Sequence, residues 1–313
     1  MFSLLPRATT GLLAALLLAL PAHAADRSVT NAWCDDLGRR LRSVSAENCR
    51  SQDFVAVSER TSGGRALVLR DIPAARKTVN PPRVLIIGGI HGDELTSVSI
   101  VFRWLEWIRE PKAGKYVWRV IPASNPDGLH NRPSTRANGR GVDLNRNFPT
   151  PDWEQDAHKY WIERTRRDPR RYPGDAAGSE IETRWLEQQI EAFKPDVIIS
   201  VHAPYNLLDY DGPAPQPLRF GRLALNRLGV YPGSLGNYGG HYKSVPVVTI
   251  ELPHATTMPP LRDQRTMWDD MLGWMDRNIK AGNGQAAFGQ PGGRPEQYGP
   301  HRGPGAVDHR KID

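Results

Sequence analysis

Short apolar runs alternate along this chain with segments whose apolar residues recur at helical spacing. Short, almost uninterrupted apolar runs are typical of buried strands, and strands are predicted at residues 66–72, 84–87, 116–121, 196–201 and 245–252. Apolar residues at helical spacing predict helices at residues 95–108, 180–193 and 262–279. This alternation predicts a single α/β domain with a mixed, largely parallel sheet flanked by helices. Ser179 and Glu182 stand at the positions of a capping box for the second helix.

The first 24 residues predict a secretory signal rather than a part of the fold. Arg7 supplies a positive start, an apolar run fills residues 11–20, and Ala22 and Ala24 form a small-x-small cleavage site. A membrane span requires about 20 apolar residues, so this shorter run favours a cleaved signal over an anchor. The mature protein is therefore predicted to be periplasmic or secreted, with no integral membrane segment.

Cys34 and Cys49 are the two cysteines of the sequence. In an exported protein such a pair most simply forms one disulfide. Metal ligation or free thiols are the alternatives, but no Cys/His cluster lies nearby. We expect residues 25–80 to form an N-terminal extension that this bridge staples and that packs on a catalytic domain at 81–280. Residues 281–313 are rich in Gly and Pro and predict a disordered tail.

The chain carries 41 Lys and Arg against 34 Asp and Glu, a formal net charge of +7. This surplus suits an anionic partner, but predicted export and the absence of a recognition motif argue against nucleic acid. Residues 159–171 hold six basic and two acidic residues together with Tyr160 and Trp161. An exposed basic loop is the preferred interpretation of this segment, and contact with an anionic glycopeptide is the alternative.

Histidine and acidic residues stand where the central strands are predicted to end. His91 and Glu94 follow the first of these strands, His202 ends the next, and Glu251 lies near the end of the last. In open α/β sheets, ligands bind outside the carboxyl ends of the strands. Two imidazoles and one carboxylate form a catalytic zinc set that leaves a coordination position for water. Any one of these residues alone is more typical of a surface or core position, so the combination favours a zinc ion.

Two further features fit hydrolytic chemistry. Glu251 lies in an otherwise apolar strand, where an unpaired carboxylate is costly to bury. Beside a metal ion it can act as a general base and return the proton to a leaving amine. Residues 136–148 are dense in Arg and Asn, and guanidinium groups bind carboxylates and stabilise an oxyanion. Taken by itself, this second segment is more typical of a solvated loop.

Five motifs in their order along the chain resemble the zinc carboxypeptidase family M14. They are HGDE at 91–94, NPDG at 125–128, GVDLNRNF at 141–148, SVHAP at 200–204 and TIEL at 249–252. The resemblance implies a peptidase with one zinc ion on His91, Glu94 and His202, and with Glu251 as the general base. It also implies that Arg136 stabilises the carbonyl oxygen of the substrate, and that Asn145 and Arg146 bind the substrate's terminal carboxylate.

The resemblance leaves two assignments open: the tyrosine that closes over the substrate, and the role of residues 209–213. Family members often close a tyrosine over the substrate, and spacing does not choose between Tyr231 and Tyr238. Residues 209–213 (DYDGP) follow the strand that ends at His202, and their composition predicts a turn. The alternative is that Asp209 or Asp211 receives the second amino group of diaminopimelate; the turn is the preferred interpretation.

Within the family, HGDE and the segment at 172–174 resemble the murein peptide amidases, which cleave the γ-D-glutamyl–diaminopimelate bond of peptidoglycan peptides. The predicted activity is hydrolysis of an amide bond next to a C-terminal amino acid in peptidoglycan stem peptides. One alternative is a general metallocarboxypeptidase on L-peptides. An acyl-amino-acid hydrolase of the aspartoacylase or succinylglutamate desuccinylase type is disfavoured by predicted export and the full GVDLNRNF motif. A non-catalytic wall-binding module is disfavoured because no ligand or base is missing.

Overall fold

The computed structural model describes residues 20–75, 79–213 and 215–282. The helices are α1 Leu20–Arg40, α2 Ala46–Arg50, α3 Leu95–Trp107, α4 Pro126–His130, α5 Trp153–Glu163, α6 Ile181–Phe193 and α7 Leu261–Asn278. The strands are β1 Val55–Arg60, β2 Ala66–Ile72, β3 Arg83–Gly88, β4 Val117–Ile121, β5 Val197–His202, β6 Leu207–Asp211, β7 Arg219–Phe220, β8 Leu223–Ala224 and β9 Val247–Glu251. Short 3-10 helices occupy Ala113–Lys115, Leu144–Arg146 and Pro169–Arg171, and a π-helix occupies Gly236–Tyr242.

Seven strands form one mixed sheet in the order β1-β2-β4-β3-β5-β9-β6. The four central strands β4, β3, β5 and β9 are parallel, and β1, β2 and β6 are attached antiparallel at the two sides. Alternate residues of β3 point to opposite faces, so Val84 and Ile86 pack with α3 and α7 while Leu85 and Ile87 pack with α6. The predicted fold class is therefore confirmed, with the parallel part confined to the centre of the sheet.

The register of the central strands gathers their carboxyl ends at one edge of the sheet. Gly88 of β3 pairs with Val201 of β5, and His202 of β5 pairs with Glu251 of β9. Strand β6 starts at the same edge, because its first residue, Leu207, also pairs with Glu251. The loops that leave β3 and β5 thus converge where the sequence places its histidines and acidic residues.

The N-terminal segment is bridged internally by a disulfide and is joined to the rest of the molecule by a hydrogen bond and through the sheet. Cys34 of α1 and Cys49 of α2 form the predicted disulfide, with their Cα atoms 5.5 Å apart. Arg40 of α1 donates through Nε to the carbonyl oxygen of Leu129 at 2.7 Å. Strands β1 and β2 then continue the same sheet. Residues 25–80 therefore supply both a helical cap and two strands to the structure that carries the central strands.

Helix α6 starts without the predicted capping box. Its N-cap is Glu180, whose side chain makes no capping hydrogen bond. Ser179 lies one residue too early, and its Oγ donates to Glu180 Oε1 at 2.8 Å instead of accepting from the first helical turn.

The interpretation of residues 159–171 as a loop is wrong for both ends of that segment. Helix α5 extends to Glu163, and residues 169–171 form a 3-10 helix. The part between them is held by Trp161, whose Nε1 donates to the carbonyl oxygen of Asp168 at 2.8 Å and whose ring lies 5.0 Å from that of Tyr172. Residues 159–171 therefore form two helical ends joined by a connection that Trp161 holds in place.

The turn predicted at residues 209–213 is also wrong for its first three residues. Asp209, Tyr210 and Asp211 belong to β6, a strand in which every residue is buried. The chain bends only after them, at Gly212, which has a φ of +124°. Two aspartates at alternate positions obscure the strand pattern, since the face they occupy is normally apolar.

Among the residues that the structure describes, no helix is both long and apolar enough to cross a bilayer. Residues 1–19 of the predicted signal and residues 283–313 of the predicted tail lie outside the described part of the chain. Signal cleavage and the disorder of the tail therefore stay predictions.

Removal of the disulfide is expected to destabilise the whole domain. The double variant Cys34→Ala/Cys49→Ala should lose about 3 kcal/mol of unfolding free energy, the value expected for a loop of about 15 residues. Urea unfolding of the oxidised wild type and of the variant measures this difference. A reducing agent should lower the stability of the wild type and leave the variant unchanged. Equal stability of variant and oxidised wild type would show that the bridge is dispensable.

Candidate metal centre and active site

Three side chains from two strand ends meet at one point. His91 and Glu94 lie between β3 and α3, and His202 is the last residue of β5. His91 Nδ1 lies 2.7 Å from Glu94 Oε1, and His202 Nδ1 lies 3.1 Å from Glu94 Oε2. The two Nδ1 atoms are 3.2 Å apart, and all three side chains are buried. Within the described ranges, no other group of His, Cys, Asp and Glu is arranged to hold a metal ion.

The spacing of these donor atoms fits a zinc ion. Zinc binds nitrogen and oxygen ligands at about 2.0–2.2 Å in tetrahedral geometry, so two neighbouring donors lie about 3.3 Å apart. The distances of 3.2 Å between the imidazole nitrogens and 3.1 Å between His202 Nδ1 and Glu94 Oε2 match that value. Two imidazoles and one carboxylate are also donor types that zinc prefers.

The Nε2 atom of each imidazole ring lies within hydrogen-bonding distance of a side-chain oxygen outside the metal-binding group. His91 Nε2 lies 3.1 Å from Asp143 Oδ1, and His202 Nε2 lies 2.9 Å from Ser200 Oγ. When Nε2 carries the proton and donates it to these oxygens, Nδ1 keeps the lone pair that a metal requires. The two contacts therefore favour the tautomers in which both Nδ1 atoms face the common point.

Asp143 connects the metal-binding group to Arg136. Arg136 Nε donates to Asp143 Oδ2 at 3.0 Å, and Arg136 Nη1 lies 3.6 Å from Glu94 Oε1. Burial opposes the ionised form of Asp143, but Arg136 and His91 hold its pKa well below the usual range. Burial likewise opposes ionisation of Glu94, and the two histidines outweigh it and lower its pKa. Both carboxylates consequently stay ionised although they are buried.

Glu251 stands beside the metal-binding group at the end of β9. It pairs with His202 across the sheet, and its Oε2 accepts a hydrogen bond from the backbone N–H of Tyr205 at 3.4 Å. Burial, reinforced by the charge of Glu94, raises the pKa of Glu251 well above its usual value. A carboxylate in such a place binds a proton readily, which is what a general base must do.

Asn145 and Arg146 present hydrogen-bond donors on another side of the site. Asn145 Oδ1 accepts from the backbone N–H of Leu235 at 2.8 Å, so its amide nitrogen is the group left for a ligand. The guanidinium carbon of Arg146 lies 4.5 Å above the ring centre of Tyr231. Arg146 Nε is buried and has no hydrogen-bond partner among the described residues. A buried donor without an acceptor points to an anionic ligand at this position.

Tyr231, and not Tyr238, is the tyrosine at the site. Tyr238 lies inside the π-helix, fully buried, and its hydroxyl donates to Glu191 Oε1 at 3.2 Å. Tyr231 lines the same cavity as Arg146, and its hydroxyl donates to the carbonyl oxygen of Leu228 at 2.6 Å. Burial raises the pKa of Tyr231 to about 12, so its hydroxyl keeps its proton.

The loop that carries Tyr231 is clamped to the segment that carries Arg146. Gly233 has a φ of +73°, and a Cβ atom there would lie 2.0 Å from the carbonyl oxygen of Arg146. The carbonyl oxygen of Gly233 accepts from the backbone N–H of Phe148 at 3.0 Å. This close approach requires glycine and fixes the ring of Tyr231 over the guanidinium.

One cavity of about 590 Å³, counting the solvent at its mouth, joins these groups. Its lining includes six of the seven predicted site residues: His91, Arg136, Asn145, Arg146, His202 and Glu251. The seventh, Glu94, contacts both histidines from the protein side. The fold thus brings all seven together, while their individual roles stay predictions.

Two residues of this site, Asp143 and Ser200, are not among the predicted site residues. Both lie in the family-like motifs, Asp143 two positions before Asn145 and Ser200 two positions before His202. Since strand side chains repeat their direction every second residue, Ser200 was predictable as a neighbour of the His202 ring. Nothing in the spacing shows that Asp143 reaches His91, because the two are 52 residues apart.

Comparison with protein-family models matches residues 45–212 to the family Peptidase_M14, zinc carboxypeptidase. The match spans more than half of the chain and includes all three candidate metal ligands. Glu251 and Tyr231 lie beyond its end.

The sequence is also similar to proteins named murein peptide amidase A. The one from Escherichia coli (strain K12) is 36% identical over 143 residues, which are 45% of this chain and 55% of that protein. The one from Vibrio campbellii is 34% identical over 180 residues, 55% of this chain and 69% of that protein. The chain therefore matches about half the length of the Escherichia coli relative.

Among solved structures, carboxypeptidase A from Helicoverpa armigera has a similar fold. The TM-score is 0.55 at 15% sequence identity, over 82% of this chain and 72% of that one. The likeness concerns the fold alone.

Asp143→Asn is expected to weaken zinc binding by about 10- to 100-fold, because the amide cannot supply the charge that orients His91 and Arg136. Competition with a coloured chelator measures the affinity. Asp196→Asn is the matched control, since Asp196 is equally buried but bonds the backbone N–H of Arg83 at the other end of the sheet. Unchanged affinity in Asp143→Asn would show that Asp143 does not support the metal ligands.

Proposed function

The chain belongs to the zinc carboxypeptidase family of zinc-dependent peptide hydrolases, and we propose that it is an exported amidase acting on peptidoglycan stem peptides. It would cleave an amide bond next to a C-terminal amino acid. The observation that carries the proposal is one cavity lined by two of the three candidate metal ligands, His91 and His202, together with Glu251 and Arg146. A reaction centre and a carboxylate-binding group in the same cavity suit a substrate whose reacting bond lies close to a terminal carboxylate.

Glu251 serves as the proton carrier of the reaction. His91, Glu94 and His202 would hold the zinc ion, which would supply the Lewis acidity that activates a water and polarises the substrate carbonyl. Glu251 takes a proton from the attacking water and later delivers it to the nitrogen of the leaving amine. Its raised pKa suits this double role, because the protonated form must persist until the amine leaves.

Arg136 stabilises the negative charge that develops on the carbonyl oxygen. Its Nε bond to Asp143 fixes the guanidinium before the substrate arrives, and the side chain lines the cavity next to the metal ligands. A donor that is already oriented needs no rearrangement during the reaction, which makes it more effective than water.

Asn145 and Arg146 hold the carboxylate of the C-terminal residue. Arg146 contributes a guanidinium that is stacked on Tyr231 and carries an unpartnered Nε, and Asn145 contributes its amide nitrogen. This grip places the preceding amide bond at the metal ligands and excludes peptides whose terminal carboxylate is blocked.

The relatives named murein peptide amidase A support a peptide of murein as the substrate. The bond we propose is the one between γ-D-glutamate and diaminopimelate. The predicted N-terminal signal and the disulfide support a periplasmic or secreted location, because structural disulfides persist in oxidising compartments.

A digest of purified muropeptides followed by mass spectrometry tests the substrate. Release of diaminopimelate from the tripeptide L-alanyl-γ-D-glutamyl-diaminopimelate is the expected result. If only ordinary L-peptides lose a C-terminal residue, the murein assignment is wrong and the protein is a general carboxypeptidase. Activity confined to small N-acyl amino acids would instead assign it to the acyl-amino-acid hydrolases.

Glu251→Gln is expected to bind one zinc ion with normal affinity and to lose nearly all turnover, because the amide cannot accept the proton of the attacking water. Metal analysis and initial rates on the same preparation measure the two properties. Glu182→Gln is the control, since Glu182 is also buried and has its pKa raised to about 7 by burial, yet does not line the cavity. An active Glu251→Gln variant would remove Glu251 from the mechanism.

A further inference from the structure

Three arginines stand together on one turn that follows helix α5. The turn consists of residues 164–167 (Arg-Thr-Arg-Arg), and we call it the arginine turn. The side chains of Arg164, Arg166 and Arg167 are exposed. None of the three forms an ion pair with a residue in the ranges that the structure describes, whereas the two arginines at 170 and 171 are both paired. The turn thus presents three positive charges to the surroundings of the protein.

The nearby acidic residues do not neutralise the arginine turn. Asp168 accepts from the backbone N–H of Arg170 at 2.9 Å and lies 3.4 Å from the side chain of Arg171. Glu163, the last residue of α5, is exposed and forms no ion pair within the described part of the chain. The turn therefore keeps a surplus of positive charge.

The backbone of the turn adopts a conformation that favours glycine. Arg166 and Arg167 have φ angles of +56° and +60°, where a Cβ atom is sterically disfavoured. The backbone N–H of Arg167 donates to the carbonyl oxygen of Trp161 at 3.0 Å, and Trp161 Nε1 donates to that of Asp168 at 2.8 Å. Glycine would make the same backbone bonds with less strain. The fold itself consequently does not account for arginine side chains at these two positions.

The segment that carries the turn borders the active-site cavity on both sides of the turn. Before the turn, the ring of Tyr160 lies 5.5 Å from that of Tyr231, which lines the cavity. After the turn, Arg170 Nη2 donates to Asp93 Oδ2 of the HGDE motif at 2.9 Å, and Arg171 lines the cavity. The arginines of the turn do not line the cavity themselves. A partner that reaches both the cavity and the turn must therefore be larger than the peptide held in the cavity.

Carboxylates are the anions that a peptidoglycan polymer offers near each cleavable bond. A glutamate linked through its γ-carboxyl keeps its α-carboxylate free, and the polymer repeats this group in its stem peptides. Guanidinium groups bind carboxylates through paired hydrogen bonds. A lipid surface fits less well, because Ile162 is the one large apolar side chain exposed within residues 159–171, all of which the structure describes.

We propose that the arginine turn binds the carboxylates of stem peptides in intact peptidoglycan. The turn holds the enzyme on the wall polymer while a neighbouring stem peptide occupies the cavity. The choice of this partner rests on the proposed function. Because the turn lies beside the cavity, binding there raises the local concentration of cleavable peptides, and it directs the enzyme to the polymer rather than to free fragments.

Co-sedimentation of the zinc-loaded full chain with purified peptidoglycan sacculi measures this binding. We expect the wild type to bind sacculi and to be released as the NaCl concentration rises, because salt screens exposed charges. Sacculi whose carboxylates have been converted to neutral amides with carbodiimide and ammonia should retain much less protein. Equal retention on native and amidated sacculi overturns the inference, and so does binding to phosphatidylglycerol vesicles without binding to sacculi.

The double variant Arg166→Gly/Arg167→Gly assigns the binding to the turn. It is expected to bind sacculi about fivefold more weakly than the wild type, since two exposed charges are lost. Its urea midpoint should stay close to the wild-type value, because glycine adopts positive φ angles without steric cost. Arg166→Lys/Arg167→Lys should bind more tightly than the glycine variant, since it keeps both positive charges.

The double variant Lys194→Gly/Arg277→Gln is the matched control. It also removes two exposed positive charges, and Lys194 has a left-handed φ of +48°. Both residues lie at the opposite edge of the sheet from the cavity: Lys194 precedes β5, and Arg277 follows Asp276, which accepts from the hydroxyl of Tyr116 just before β4. The control should bind sacculi as the wild type does. A glycine variant that binds as tightly as the wild type, or a control that loses as much affinity as the glycine variant, overturns the inference.

These outcomes separate the binding surface from the proposed function. Binding to sacculi that depends on the arginine turn, in a protein that cleaves no murein peptide, supports the surface and contradicts the proposed function. Cleavage of murein peptides by a protein whose binding to sacculi does not depend on the turn supports the proposed function and contradicts the surface.

Discussion

The pairing register of three parallel strands is the constraint on which the active site depends. Because β3, β5 and β9 run in the same direction and end level with one another, His91, His202 and Glu251 arrive at the same edge although they are distant in sequence. A shift of one residue in either pairing would turn the affected side chains to the opposite face of the sheet. The strands are buried on both faces, and the apolar pattern on each face therefore protects the register on which the chemistry relies.

The buried charges of the site form a chain in which each member is compensated by the next. Arg136 neutralises Asp143, Asp143 orients His91, and the histidines hold Glu94 in its ionised form. Glu251 stands outside this chain, with a backbone N–H as its hydrogen-bond donor, and its pKa moves in the opposite direction. The same edge of the sheet thus holds carboxylates in two kinds of surroundings, which favour the ionised form of Asp143 and Glu94 and the protonated form of Glu251.

Much of this arrangement was predictable from the sequence, because apolar runs identify the central strands and the polar residues at their ends identify the site. The prediction failed where a buried strand departs from the apolar pattern. Asp209 and Asp211 sit at inward positions of β6, and together with Gly212 and Pro213 they have the composition of a turn. The choice between Tyr231 and Tyr238 and the contact of Asp143 with His91 depend on tertiary packing, which spacing along the chain does not encode.

The most direct test of the metal centre is anomalous X-ray diffraction at the zinc edge from crystals of the zinc-loaded protein. The predicted result is one strong peak, about 2.0–2.2 Å from His91 Nδ1, His202 Nδ1 and a carboxylate oxygen of Glu94. A protein without a peak between these three side chains, or with its zinc bound elsewhere, would contradict the assignment of this edge of the sheet as the catalytic centre.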